Sequence, residues 1–173
     1  MNKFFSPFNT AVFAAIFCTA FGLTFQVNAA FAVSPTSSVR EEAVVPSPHL
    51  RETSLQIGKH NYILEVTQTP EESQLGLMGR KTLPTGHGML FTFFPSEPVR
   101  FWMRHTITPL DMLFVADSKI IHIQEAAPPC PEKLGEKCPT YGTDALVDYV
   151  IELPAHTARK DEIKVGMTIG KKP

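Results

Sequence analysis

The sequence predicts a mainly β protein: a single compact domain of about seven short strands, barrel-like or sandwich-like, with one or two short helices. Three observations predict this fold class. Hydrophobic residues recur mostly with period two, which is the period of a strand. Short turn-forming segments separate these alternating runs. The folded part, taken as residues 53–173, has about 120 residues, enough for one domain with its own core.

The first 32 residues have the pattern of a cleavable signal peptide. One basic residue, Lys3, precedes an apolar run of about 15 residues, which is shorter than the roughly 20 that a membrane-spanning helix needs. Small residues at Ala29, Ala30 and Ala32 follow this run, as expected of a signal peptidase site. Residues 33–52 are polar and contain several prolines, which is typical of a flexible stalk. We therefore expect an exported protein, periplasmic or extracellular, without a membrane span once the signal is removed.

Removal of the signal would leave a weakly acidic chain with two cysteines. The sequence has 16 Lys and Arg, 17 Asp and Glu and three Cys, and the signal contains Lys3 and Cys18. The remaining net charge of about −2, without a basic stripe, argues against a nucleic-acid partner. In an exported chain the remaining pair, Cys130 and Cys138, is most simply a structural disulfide. We expect no cofactor.

The elements of the domain are predicted in order along the chain. Alternating segments at 54–57 and 62–67 predict a hairpin around Gly58. Thr69, Pro70 and Glu72 form the pattern of a capping box and open a helix that we expect to run to about Met78. A helical turn is expected within 155–163. The other strands are predicted at 89–94, 99–103, 111–115, 120–124, 147–153 and 167–169. The first of these is apolar on both faces and therefore expected to be buried, whereas the facing of Glu152 in 147–153 stays open.

Four segments of the domain together resemble a known family. They are GLMGR at 76–80, GMLF at 88–91, FWMRHT at 101–106 with PLD at 109–111, and YVIEL at 149–153. In order and spacing these segments resemble the domain-of-unknown-function family 192, over about residues 55–169. The resemblance implies one β-rich domain and, for many members, secretion, but it supplies no activity. His105 stands where the family usually has asparagine, and Met167 where it usually has aspartate.

The densest polar cluster of the domain surrounds Trp102. A strand, a turn and a second strand would return Asp111 to the neighbourhood of Arg104 or His105. Two interpretations of Asp111 remain open: it caps the intervening turn or pairs with Arg104, or it binds a small anionic or sugar-like ligand together with Arg104. Arg80 is a second candidate cation for such a pocket. The predicted ligand-binding residues are Arg80, Trp102, Arg104, His105, Thr106 and Asp111.

The expected function is that of an exported, non-enzymatic binding or accessory domain of the cell envelope, whose partner is an unknown small ligand or an envelope protein. Two alternatives stay open. A small hydrolase could use His105 and Asp111 as an acid–base pair, although no nucleophile elbow marks a serine. A Cu(I) or other soft-metal handling protein could use thioether and imidazole groups. Its candidate ligands are His87, Met89, Met103 and His105.

Overall fold

The computed structural model describes residues 50–170, which form one six-stranded sheet with short helices at its margins. The predicted signal peptide and nearly all of the predicted stalk lie outside these residues. In chain order the elements are β1 (Arg51–Ile57), β2 (His60–Val66), α1 (Pro70–Leu75), β3 (His87–Trp102), β4 (Leu110–Ala116), β5 (Lys119–Ala127), a 3-10 helix (Glu132–Lys137), β6 (Thr140–Pro154) and α2 (Thr157–Lys160). Strand β1 begins at Arg51, so the last two residues assigned to the stalk belong to the sheet.

The strands lie in the order β1-β2-β3-β6-β4-β5. The hairpins β1–β2 and β4–β5 are antiparallel. The first confirms the hairpin predicted around Gly58, and the second pairs the strands predicted at 111–115 and 120–124. The turn of the second hairpin is made by Asp117 and Ser118, both with positive φ, as tight turns that follow the twist of their strands require. Strands β2 and β3 are parallel, and helix α1 lies in the crossover connection that parallel neighbours need.

The mainly β class is confirmed, but the sheet is open and not closed into a barrel. The predicted last strand at 167–169 makes only two single bridges, Ile169 with Ile57 and Thr168 with Lys119. These bridges connect the C-terminal segment to both edge strands, β1 and β5. They replace the continuous ladder that barrel closure would require.

Strand β3 unites the two strands predicted at 89–94 and 99–103. The rings of Phe91 and Phe101 have centroids 5.0 Å apart, although ten residues of straight strand would span about 33 Å. The strand therefore folds back on itself between them, and its register with β6 shifts between Thr92 and Glu97. Phe94, in this bend, is 98% exposed, so only the first part of the predicted segment 89–94 is buried on both faces.

Both faces of the sheet centre are covered. One core cluster includes Leu90, Leu113 and Ile151 and is packed against α2 and the chain beyond it. The second cluster includes Phe91 and Phe101, because the second half of β3 folds over this face. Consecutive residues of the central strands alternate between the two clusters, which is why these strands lack the apolar–polar alternation of a half-exposed sheet.

Helix α1 begins as predicted and ends early. The side chain of Thr69 accepts a hydrogen bond from the Glu72 backbone, and the Glu72 carboxylate accepts one from the Thr69 backbone, so the predicted capping box is formed. The helix ends at Leu75 because Gly76 takes a φ of 50°, in the left-handed half of conformational space that does not continue an α-helix. Across residues 50–170, no helix has the length and apolar character to span a membrane.

Candidate functional site

Three loops meet at the end of β3, and backbone hydrogen bonds hold them together. The Gly79 amide, in the loop after α1, donates to the His105 carbonyl oxygen at 2.9 Å. The Cys130 amide, in the loop before β6, donates to the Met103 carbonyl oxygen at 3.1 Å. His105 has a φ of 56°, a conformation that few non-glycine residues adopt. The chain after β3 is therefore positioned by contacts from both neighbouring loops, and three of the predicted ligand-binding residues lie on it: Arg104, His105 and Thr106.

Arg104 packs on the ring of Trp102. Its guanidinium carbon lies 5.6 Å from the ring centroid, which is within the range of a cation–π interaction. Both side chains are half-buried. Among the described side chains, none supplies a carboxylate within ion-pair distance of Arg104. Arg104 thus presents a cation that is held by an aromatic surface and not neutralised by any of these carboxylates.

A small depression lies beside Arg104. It has a volume of about 250 Å³, including the part open to solvent. The residues that line it are Arg104, His105, Cys130, Pro131, Glu132, Gly135 and Cys138. Trp102, a predicted ligand-binding residue, does not line this depression and instead packs against Arg104. Thr106 is buried, and its amide donates to the Met103 carbonyl oxygen.

The disulfide forms one wall of the depression. Cys130 and Cys138 are bonded to each other, as the cysteine count predicted. The bridge closes the loop that contains the 3-10 helix, in which Gly135 takes a φ of 48° and interrupts the helical geometry. Because Cys138 is followed almost directly by β6, the bridge also ties the loop to the sheet.

Asp111 lies elsewhere and has a structural role. Its carboxylate is completely buried and accepts three backbone amides: from Ala126 at 2.8 Å, His156 at 3.0 Å and Ala158 at 2.8 Å. These amides belong to the end of β5 and the start of α2. The expectation of a buried, hydrogen-bonded carboxylate is right, but its partners are not the turn after β3 and not Arg104. Asp111 therefore joins β4 to β5 and α2.

Arg80 is paired with a residue that the sequence did not single out. Its two terminal nitrogens donate to the two carboxylate oxygens of Glu65 on β2, with Nη2–Oε2 at 2.6 Å. This hydrogen bond raises the pKa of Arg80 above its ordinary value, against the opposing effect of burial. Both side chains are about three-quarters buried, at 20% and 24% exposure. Arg80 does not line the depression and fastens the loop after α1 to the sheet.

The facing of Glu152 is inward. Its side chain is 2% exposed, and its neighbours across the sheet are Met89 on β3 and Met112 on β4. Residues directly opposite on neighbouring strands share a face, so Glu152 lies on the face of the second core cluster. The inward orientation was one of the two that the sequence left open.

The four candidate soft-metal ligands do not share one environment. Met89 and Met103 are each 1% exposed and belong to the second core cluster. His105 is exposed, and the Nδ1 atom of His87 lies 3.3 Å from the Thr85 carbonyl oxygen. Within residues 50–170, no group of three or more His, Cys, Asp or Glu side chains is arranged to hold a metal ion.

The acid–base pair of the hydrolase hypothesis is not assembled around a free carboxylate. Both oxygens of Asp111 accept backbone amides, whereas His105 is exposed. In an acid–base pair of this kind the carboxylate accepts the ring N–H of the histidine. None of the described hydrogen bonds joins Asp111 to His105, so the pair is not assembled in this structure.

Sequence reasoning missed Glu65 and Glu132, for the same reason. Glu65 meets Arg80 only because β2 lies beside β3 in a parallel pair, and Glu132 reaches the depression only because the disulfide closes its loop. The even pair of cysteines was the one signal that placed a closed loop near Glu132. Nothing comparable marked Glu65.

Comparisons with known proteins agree with the fold. The family model DUF192, described as "Uncharacterized ACR", matches residues 53–170. One similar crystal structure is that of a protein from Sinorhizobium meliloti 1021 described as a "putative transcription regulator". The two sequences are 32% identical, and the alignment covers 69% of this chain and 93% of that chain, with a TM-score of 0.63. A protein of unknown function from Novosphingobium aromaticivorans DSM 12444 is 27% identical, covers 83% of this chain and 94% of that chain, and also gives a TM-score of 0.63. No curated protein matches the sequence.

Proposed function

The chain belongs to the uncharacterised DUF192 family, and from that premise we propose that it is an exported, non-enzymatic binding domain of the cell envelope. The observation that supports the proposal best is Arg104. This cation is held against Trp102 at the edge of a concave surface, with no ion-pair partner among the described side chains. A half-buried cation in that position is stabilised further by a ligand that supplies the missing acceptor.

Export is the second part of the proposal and has separate support. The basic start, apolar run and small-residue exit of residues 1–32 favour a signal peptide. The Cys130–Cys138 bridge favours an oxidising compartment, because disulfides seldom persist in the cytosol. The net charge of about −2 that would remain after removal of the signal peptide, without a basic stripe, does not favour binding to DNA.

A thermal-shift screen tests the binding function. The mature protein, residues 33–173, is heated with small anions, neutral sugars, short peptides or Cu(I). The Arg104→Gln variant is compared with Arg159→Gln as a matched control. Arg159 is an exposed arginine with its own partner, Glu125, and does not line the depression.

We expect one class of compound to stabilise the wild type and Arg159→Gln, and not Arg104→Gln. A ligand at 100 times its Kd stabilises the folded state by about 2.7 kcal/mol, which is several degrees in Tm for a domain of this size. Equal stabilisation of both variants would place the ligand elsewhere and contradict the proposal. Stabilisation by Cu(I) alone would favour the soft-metal alternative. Fractionation of the producing cells tests export independently, since a cytosolic full-length chain would contradict it.

A further inference from the structure

We infer that the depression beside Arg104 binds a small molecule or chain end through a single carboxylate group. This inference rests on the binding function proposed above and names its ligand class. Of the side chains that line the depression, Arg104 and Glu132 bear formal charges when histidine is counted as neutral. The other walls are the Cys130–Cys138 bridge, Pro131 and the backbone at Gly135.

Arg104 differs from three other arginines of the domain. Arg80, Arg100 and Arg159 each form an ion pair with a glutamate or aspartate of the same chain. Arg104 forms none with the described carboxylates. An arginine has five N–H donors and no acceptor. The N–H groups of Arg104 therefore need acceptors other than these carboxylates. Water supplies them in the free protein, and the ligand supplies them in the complex.

The guanidinium of Arg104 favours a planar acceptor, because its N–H donors form a rigid planar fork. Its contact with Trp102, at 5.6 Å from the guanidinium carbon to the ring centroid, restrains the side chain. A carboxylate matches this planar fork with two parallel hydrogen bonds. Because the Arg104 side chain is already restrained by the contact with Trp102, less conformational entropy is lost when the ligand binds than for a freely rotating lysine or arginine.

Charge and volume favour a small monoanion. Of the described side chains that line the depression, one is positive and one is negative, so each negative charge on the ligand beyond the first meets Glu132 without a second described cation. A dianionic phosphate is disfavoured on this ground. The volume of about 250 Å³ includes open solvent, so the enclosed part is smaller still and lies below the roughly 300–1,000 Å³ of drug-sized pockets. The ligand part that enters the depression is therefore small.

The test uses the fact that the protein has one tryptophan. In a nitrogen-15 correlation spectrum of the mature protein, the indole N–H signal belongs to Trp102 alone and reports on the guanidinium stacked against its ring. The spectrum is recorded with N-acetylalanine, with its uncharged amide N-acetylalaninamide, and with inorganic phosphate. The variants are Arg104→Gln and Glu132→Gln, with Arg159→Gln as the control.

We expect N-acetylalanine to shift the indole signal in a saturable way, and the amide not to shift it. Arg104→Gln should weaken binding about tenfold or more, because the positive charge and the two parallel N–H donors of the guanidinium are lost. Glu132→Gln should strengthen binding by about two- to threefold, because it removes an exposed negative charge that repels the carboxylate of the ligand. A purely structural role of Glu132 would not produce this gain in affinity. A tripeptide that ends in alanine separates two sources of the carboxylate. Tighter binding than N-acetylalanine would assign it to a peptide C-terminus, and equal binding to a free acid.

Two results would overturn the inference and leave the binding function standing. They are equal binding of N-acetylalanine and its amide, and Arg104-dependent binding of phosphate in preference to the carboxylate. If no compound in the thermal screen binds in an Arg104-dependent way, the binding function and the carboxylate inference fail together. Glu132→Gln keeps the test valid if Arg104→Gln does not fold, because Glu132 is exposed and none of the described contacts of the core involves it.

Discussion

Replacing Asp111 with asparagine should destabilise the domain strongly, although the two side chains have nearly the same shape. The carboxylate is completely buried and accepts amides from Ala126, His156 and Ala158. An asparagine oxygen at the Oδ1 position can keep the first two bonds. Its NH2 group would then face the Ala158 amide, which lies 2.8 Å from Oδ2, so that one donor meets another donor.

The expected loss is about 3 kcal/mol. A hydrogen bond to a charged acceptor contributes roughly 1.5–3 kcal/mol, and a buried amide left without a partner costs about 1–3 kcal/mol more. For a domain of about 120 residues, this loss lowers Tm by roughly 10 °C. Because Asp111 does not line the depression, the folded variant should still bind whatever ligand depends on Arg104.

Urea denaturation followed by circular dichroism measures this loss. Asp144→Asn is the matched control, since Asp144 is 96% exposed and its replacement should leave the denaturation midpoint unchanged. Hydrogen exchange at the three amides adds a local readout, because the Ala158 amide should exchange faster in the Asp111 variant. A variant within 1 kcal/mol of the wild type, at the order of magnitude of a single neutral hydrogen bond, would refute the assignment of Asp111 as a structural carboxylate.

Two further predictions concern the hydroxyl group of Tyr62 and the Cys130–Cys138 disulfide. Burial and the hydrogen bond to Asp161 raise the pKa of the Tyr62 hydroxyl in the folded protein. The contribution of Tyr62 to the free energy of unfolding is therefore fully present below the pKa of about 10 that tyrosine has in the unfolded chain. It is lost as the pH rises from there towards the pKa of the folded protein. Urea denaturation between pH 8 and 11 should show this decline in the wild type and a smaller one in Tyr62→Phe; parallel curves would contradict it. Replacing Cys130 and Cys138 with alanine should cost about 2.5 kcal/mol, because the bridge closes a short loop between residues eight apart. Thermal unfolding measures this cost, and an unchanged Tm would mean that the bridge does not constrain the unfolded chain.

The parts of the fold that depend on neighbouring residues could be predicted from the sequence. The capping box at Thr69 and the hairpin turn at Gly58 are formed because a few adjacent residues decide them. The length of β3 could not be predicted. Its middle contains Pro95 and Glu97, which interrupt the apolar pattern, and its second half is a strand only because it folds over the second core cluster and pairs with β6.

In the candidate site, too, contacts between residues close in the sequence could be predicted, and contacts between distant residues could not. The sequence placed Trp102 and Arg104 together correctly, since two positions along a strand end are close whatever the fold. It misplaced the partners of Asp111, which come from β5 and α2, and it did not give Glu65 on β2 as the partner of Arg80. Such pairings depend on which strands are neighbours in space. One sequence contains no local signal for that order.

The fold-back of β3 makes core packing and site geometry inseparable. The ring of Phe101 contacts those of Phe91 and Phe114 at centroid distances of 5.0 and 6.2 Å, and the next residue is Trp102. We expect a change in the size of any of these rings to move the backbone beside Arg104, without touching a residue of the depression. If Arg104 binds a ligand as proposed, a mutational survey would therefore identify aromatic core positions as determinants of that binding.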